Sequence, residues 1–521
     1  MAESIFVIGV GGTGMRCLES VVHFCAAGCF GGSTVNMLLL DTDLENGNVD
    51  RTTKLIERYN AARGDKPAYE GLFGAQINMY KFAPDYTENN DLNGMIVNGL
   101  DPNNQALADL LFSEDVQRFD LREGYRAQTH LGSMLMYKSI LKEAELQIAH
   151  KRNPKTSLVS FLKALDSSAK KCFVMGSVFG GTGASSIPVI PRAFRDALPK
   201  ATGVENNKLD VEWGAVLMTS YFTFEQPPKR AGNIVPNADN FDMSSQLALE
   251  FYRTDESVKK AYRSFYILGS EVLFPLGTRD VKSDVGGAAQ RNPSHFVEMF
   301  TYTALDHFVR SATNSSADPM YYDRCFNDEG LDFKDLVNDT ADKDKLAFNM
   351  LTLMALAKTI KNNELSEEEF GGRKIAIPSN VSLGATQMLR KEDGYLPLFW
   401  EWIHSIWGTL GDDFRNGGDK CLFGAKAFDP NSKLSDVFQD MFSCKSEYAV
   451  YKMYVKGGLL GGSLKLPEPK KGWENLFKNG FGDVFKDGDL VNNIVNSSSA
   501  QLVFPRVLRE VLKTVYVKND K

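Results

Sequence analysis

Apolar residues in the first half of this chain fall into short runs and longer spaced stripes, and the two alternate. Ile5 to Val10, Val35 to Leu40 and Cys172 to Met175 are near-continuous apolar runs, the pattern of strands buried on both faces. After the first run, Cys17, Leu18, Val21, Val22 and Cys25 recur at helical spacing. The same reading predicts strands over Ile77 to Phe82, Val211 to Met218 and Ser264 to Leu268. It predicts helices over Asn104 to Phe112, Ser133 to Ala149, Ser157 to Ser168 and Asp239 to Tyr252. Strand–helix–strand order of this kind predicts an α/β fold with a Rossmann-like parallel sheet.

The second half changes character. Asn292 and Pro293 are expected to open a long helix with Phe296, Phe300, Ala304 and Phe308 on one face, suited to a rod between two domains. Asn314 to Asp344 is polar and acidic and reads as a connecting region. Beyond it come a predicted helix over Leu346 to Ile360, a short strand over Arg373 to Ile377, and an aromatic segment, Leu398 to Leu410. Its Trp400, Trp402 and Trp407 read as core or interface anchors. Gly457 to Gly462 reads as a hinge or hairpin.

Candidate chemistry sits at two turns. Gly11-Gly12-Thr13-Gly14 and Gly180-Gly181-Thr182-Gly183 repeat the same four residues, each between an apolar strand and a helix. Glycine lets the backbone approach a ligand, and a helix start offers unpaired N–H groups to an anion. One such turn is often only a tight connection; two could hold one phosphate chain from both sides. The first turn also satisfies Gly9-x-Gly11-x-x-Gly14, with Asp41 closing the second strand, so the first fifty or so residues alone suit an NAD-binding oxidoreductase.

Composition narrows the classes. The chain has 521 residues, 43% hydrophobic and 24% charged, with a net charge of −7. That length predicts two or three domains, and that charge gives no general basic field for nucleic acid. Seven cysteines without C-x-x-C spacing read as reduced core thiols, and Cys25 and Cys29 find no partners to complete a metal site. No signal peptide or membrane-spanning run is read, so the expected compartment is the cytoplasm, with no membrane insertion.

In order, these motifs resemble the tubulin/FtsZ superfamily, in particular its divergent bacterial tubulin-like members. Val7 to Gly14 is similar to the first phosphate loop, Asp41-Thr42-Asp43 to the Asn-Thr-Asp after the second strand, and Phe179 to Ser185 to the tubulin signature, followed by Pro188. Leu331 to Leu336 is similar to the FtsZ synergy loop. The match covers about two-thirds of the chain. Phe179 and Ser185 stand where the signature has its first and last glycines, Asp41 where the family has Asn, and Pro191 predicts a lost helix hydrogen bond.

The resemblance implies a GTPase domain over residues 1–290, a central connecting helix over 291–313 and a mixed α/β C-terminal domain over 314–521, starting with the synergy loop near 328–338. It implies GTP and Mg²⁺ on Gly11, Gly12, Thr13, Gly14, Asp41, Asp43, Gly180, Gly181, Thr182, Gly183 and Ala184. Arg126 and Gln128 would stand near the γ-phosphate, and Asn292 near the guanine. Asp332 and Asp335 of the next subunit would act on the attacking water. Expected partners are further copies of the chain, head to tail, and an accessory protein on the C-terminal domain. The C-terminal third does not visibly match the family, and a division ring is not expected. A scaffold of the same fold with little hydrolysis is the nearest alternative.

Overall fold

The computed structural model describes residues 4–43, 46–64, 72–86, 90–95, 100–121, 124–125, 128–150, 158–168, 170–224, 238–270, 273–276, 288, 290–312, 318–326, 336–338, 394–409 and 487–497, with isolated positions between 346 and 357, between 483 and 486, and at 510. Strand β1 (Ser4–Val10) shows how the core is divided. Successive strand side chains point to opposite faces. Ile5 and Val7 enter one apolar cluster, and Phe6, Ile8 and Val10 enter another. A strand that must bury both faces has to be apolar throughout, which is why the run reads as unbroken.

Seven strands form one parallel sheet: β1, β2 (Thr34–Leu40), β3 (Gln76–Phe82), β4 (Lys171–Ser177), β5 (Glu212–Met218), β7 (Ser264–Ser270) and β9 (Met320–Phe326). Their spatial order is β3-β2-β1-β4-β5-β7-β9, a Rossmann-like arrangement, and β6 (Phe222–Phe224) pairs with β8 (Phe274–Leu276) apart from it. The chain order runs outward in both directions from β1 and β4, so a crevice is expected beyond their carboxyl ends.

Helix α1 (Gly11–Ala26) crosses from β1, and α2 (Gly47–Arg63) from β2. Helices α3 (Leu92–Met95), α4 (Pro102–Leu111), α5 (Glu114–Arg118), α6 (Thr129–His150) and α7 (Leu158–Ser168) lie between β3 and β4. They are followed by α8 (Gly181–Ser186), α9 (Ile190–Thr202), α10 (Phe241–Thr254), α11 (Glu256–Ala261) and α12 (Phe296–Arg310). Among the described residues no helix is long and apolar enough to cross a membrane.

Several expectations change. The polar region after α12 contains β9, which lies beside β7 at the sheet edge with Ser264 opposite Met320 and Ser270 opposite Phe326. Tyr321 and Tyr322 stack on Phe265 and Tyr266 across this pair. An edge strand has only one neighbour, so Asp323 and Arg324 within it diluted the apolar signal. Helix α12 begins at Phe296, three residues after Pro293. His295 caps it: its Nδ1 accepts from the Val297 N–H at 3.2 Å, and Glu298 accepts from the His295 N–H at 2.9 Å. The helix packs on the sheet and on α1, with Phe308 tilted against Phe173 and Tyr302 stacked on Phe24.

Pro191 costs no hydrogen bond. The small-residue helix stops at Ser186, and Pro191 falls in the first turn of the separate helix α9, where its missing N–H has no intrahelical role. Helix α13 (Tyr395–Thr409) carries the expected aromatic anchors, with Trp402 buried and stacked on His23 at 4.4 Å between ring centres. Leu346, Met350, Leu353 and Ala357 are buried at helical spacing, and α14 (Gly488–Ser497) adds Val491 and Ile494 to the same cluster. The Arg373 strand, Trp407's side chain and the Gly457 hinge lie outside the described residues.

Two charge pairs tie α1 to its neighbours, one to α12 and one to α2, which in turn holds the segment before α12. Arg16 Nε donates to Glu298 Oε1 at 2.6 Å, and the pair is 3% and 0% exposed. Arg51 grips both oxygens of Glu19, at 2.8 and 2.9 Å, and donates to the Asn292 carbonyl at 2.8 Å. Removing one partner of a buried pair strands the other charge, at roughly 3–5 kcal/mol, whereas replacing both with apolar residues is far milder. Glu298→Ala should therefore lower stability in urea unfolding by about that amount, and Arg16→Met/Glu298→Leu should recover part of it, the Tyr221 hydroxyl and the His295 N–H still lacking their acceptor; equal losses in both variants would contradict the stranded-charge account.

Candidate nucleotide-binding crevice

The two glycine turns meet because their strands are neighbours. Strand β1 pairs with β4, Gly9 opposite Met175, and each strand ends into its own turn at the same edge of the sheet. Gly11 has φ +69°, a left-handed conformation that disfavours any side chain, and a Cβ there would stand 3.2 Å from Thr182 Cβ. Gly14 and Gly183 serve closeness: a Cβ on either would press on a strand carbonyl, that of Met175 at 2.6 Å or Ser177 at 2.4 Å. Each helix start is thereby pressed onto the strand ends.

Two further loops reach the same point. Thr42 follows β2, and its hydroxyl lies 2.8 Å from that of Thr182. Gly124, with φ +91°, comes up to Thr42, where a Cβ would be 3.4 Å from the hydroxyl oxygen. Four loops of the chain thus converge on one threonine pair. Neither Val10, which precedes α1, nor Gly180, which precedes α8, contributes a side-chain cap. The first N–H groups of α1 are therefore of the kind that an anion satisfies.

Asp41 is drawn inward. Its carboxylate accepts from the Thr42 N–H at 2.7 Å, the Asp43 N–H at 3.3 Å and Asn46 Nδ2 at 3.0 Å, and it is 4% exposed. Burial outweighs these hydrogen bonds and raises its pKa from 3.8 to about 7. Asn46 also donates to Gln290 Oε1 at 3.1 Å and caps α2 by accepting from the Asn48 N–H. Beneath α1's first turn, Arg16 donates to the Tyr221 hydroxyl at 2.8 Å as well as to Glu298. Burial opposes its charge, but Glu298 more than compensates and holds the guanidinium charged. Burial and the nearby Arg16 push His295 down to about 3, so it stays neutral and accepts through Nδ1.

Comparison with protein-family models and with curated proteins returns no match.

The residues singled out in the sequence therefore stand on geometry alone. Gly11, Gly12, Thr13, Gly14, Thr182, Gly183, Asp41 and Asp43 lie on the converging loops, with Gly180, Gly181 and Ala184 in the turn that carries Thr182. Gln128 is half-buried just before α6, its N–H on the Tyr125 carbonyl at 2.8 Å. Asn292 neither starts nor caps α12; its carbonyl holds Arg51 beside the first turns of α2. Arg126, Asp332 and Asp335 lie outside the described residues. Phe179 adopts no left-handed φ, and its ring packs against Phe241 at 4.6 Å and Phe222 at 5.5 Å. Ser185 donates to the Gly181 carbonyl and packs so closely on Gly132 that a Cβ there would meet its hydroxyl. Thr42 stood inside the Asp41-Thr42-Asp43 motif without a role of its own, and Arg16 and Asn46 went unmarked, because an arginine in a helix and an asparagine in a loop carry no spacing signal.

The Asp41 shift has a sign that can be measured. A carboxyl whose folded pKa is raised adds stability that is complete below about pH 4 and lost as pH rises through about 7. Asp41→Asn should abolish this part of the pH dependence. The variant's unfolding free energy relative to the parent's, measured by thermal unfolding, should rise from about pH 4 and level off above about pH 7, reaching about 1–3 kcal/mol after loss of the Asn46 hydrogen bond. A difference independent of pH would show that Asp41 is ionised throughout.

Proposed function

We propose that this chain is a tubulin/FtsZ-like GTP-binding protein that assembles head to tail into filaments, with hydrolysis completed by Asp332 and Asp335 of the adjacent subunit. The observation that carries the reading is the meeting of the two Gly-Gly-Thr-Gly turns at the Thr42–Thr182 hydroxyl contact of 2.8 Å. Polyphosphate binding is supported by the positive φ of Gly11, which lets the backbone come close to a ligand, and by the uncapped N–H groups at the start of α1, which need no lysine. Mg²⁺ neutralises charge on the phosphates when bound, and the hydroxyls of Thr42 and Thr182 are hard oxygen donors of the kind it takes. Phe179 packs into its aromatic cluster without a left-handed φ to strain it, which supports a competent site over the scaffold alternative. The NAD reading keeps its glycine fingerprint, yet Asp41, buried and engaged by three donors, has little acceptor capacity for a ribose.

Sedimentation and phosphate release with GTP, GDP, ATP and NADH test this directly. Pelleting with GTP, and turnover that rises steeply with protein concentration, are expected. Asp332→Ala and Asp335→Ala should keep the filaments and slow hydrolysis at least tenfold, roughly the size of a lost water-positioning group. Tight NADH binding without assembly would replace the proposal.

A further inference from the structure

Asn48 is the second residue of α2 and is fully buried. Its backbone is occupied: the N–H donates to Asn46 Oδ1 at 2.9 Å, and the carbonyl accepts from Thr52 at 2.9 Å. Its side chain is not. Among the described residues neither Oδ1 nor Nδ2 has a hydrogen-bond partner. A buried carboxamide left unpaired is destabilising, and leucine would fill similar space without that cost.

The amide's position supplies the reason for keeping it. Nδ2 lies 3.0 Å from the point that a side chain on Gly12 would occupy, at the uncapped start of the 16-residue α1. The backbone just before it is held in place as well. A Cβ on Gly47 would meet the Ala288 carbonyl at 2.4 Å and the Gln290 carbonyl at 3.1 Å, so Ala288 and Gln290 lie close against the start of α2. Asn46 ties that start to Asp41 and Gln290. These contacts fix the backbone that carries the amide, and the side chain itself is fully buried.

We infer that the Asn48 carboxamide is a phosphate-binding group of this crevice, its N–H donors kept unpaired beside Gly12 for a phosphoryl oxygen of the nucleotide; the inference rests on the nucleotide reading above. A neutral amide adds donors to those of α1 without a charge of its own, which suits a site that releases its product.

The test uses the full-length chain, with GTP affinity and thermal unfolding without nucleotide both measured. Asn48→Leu removes the polarity and keeps the volume. Its thermal midpoint without nucleotide should equal or exceed the parent's, while GTP affinity falls about 10- to 100-fold, the worth of a hydrogen bond to a charged group. Asn48→Ala, which cannot overpack, should weaken GTP to the same degree and stands in if the leucine variant does not fold. Parental GTP affinity in these variants would overturn the inference and leave the nucleotide reading intact, as would a role for the amide in stability alone. A parent chain that binds no GTP would overturn the nucleotide reading and this inference with it.

Discussion

The pairing of β1 with β4 is the constraint on which the rest depends. These strands are far apart in the chain, yet they hydrogen-bond side by side, Phe6 opposite Cys172 through Gly9 opposite Met175. Parallel strands place equivalent ends together, so the turn that leaves β1 stands beside the turn that leaves β4. Both turns are Gly-Gly-Thr-Gly. The crevice is thus a consequence of strand order, and Thr42 and Gly124 join it because β2 and the loop before α6 open onto the same edge.

The crevice is tied to the far part of the sheet by charge. Glu298 is a single carboxylate with three duties: it neutralises Arg16 below the first glycine turn, accepts from Tyr221 after β5, and completes the cap of α12. Glu19 does similar work for Arg51, Thr52 and Ser294. Groups so buried are tolerated because nearly every lone pair is engaged. A displacement of α1's first turn would be felt at the start of α12, since the same guanidinium touches both.

Around this polar centre the packing is aromatic. Phe179, Tyr221, Phe222 and Phe241 form one aromatic cluster beside the second glycine turn, and His23 with Tyr395, Phe399 and Trp402 forms another where α13 meets α1. Burial keeps His23 neutral, as its stacking on Trp402 requires no charge. Large rings fill these junctions with few torsions to fix.

Local sequence determined the α/β class, the main strands and both glycine turns, because burial on two faces and freedom at Gly11 are imposed residue by residue. It was blind where the deciding partner is distant. Strand β9 reads as polar linker until β7 lies beside it; Asn292 and Pro293 read as the opening of the long helix until His295 and Glu298 cap it at Phe296; Phe179 reads as a replaced glycine until Phe241 and Phe222 receive its ring. The same holds for Asp41, an ordinary acid in the sequence and a buried one in the fold. Hydrophobic periodicity and backbone permission are local properties written in order along the chain. Burial, pKa and the meeting of Thr42 with Thr182, 140 positions apart, belong to contacts that only the tertiary structure creates.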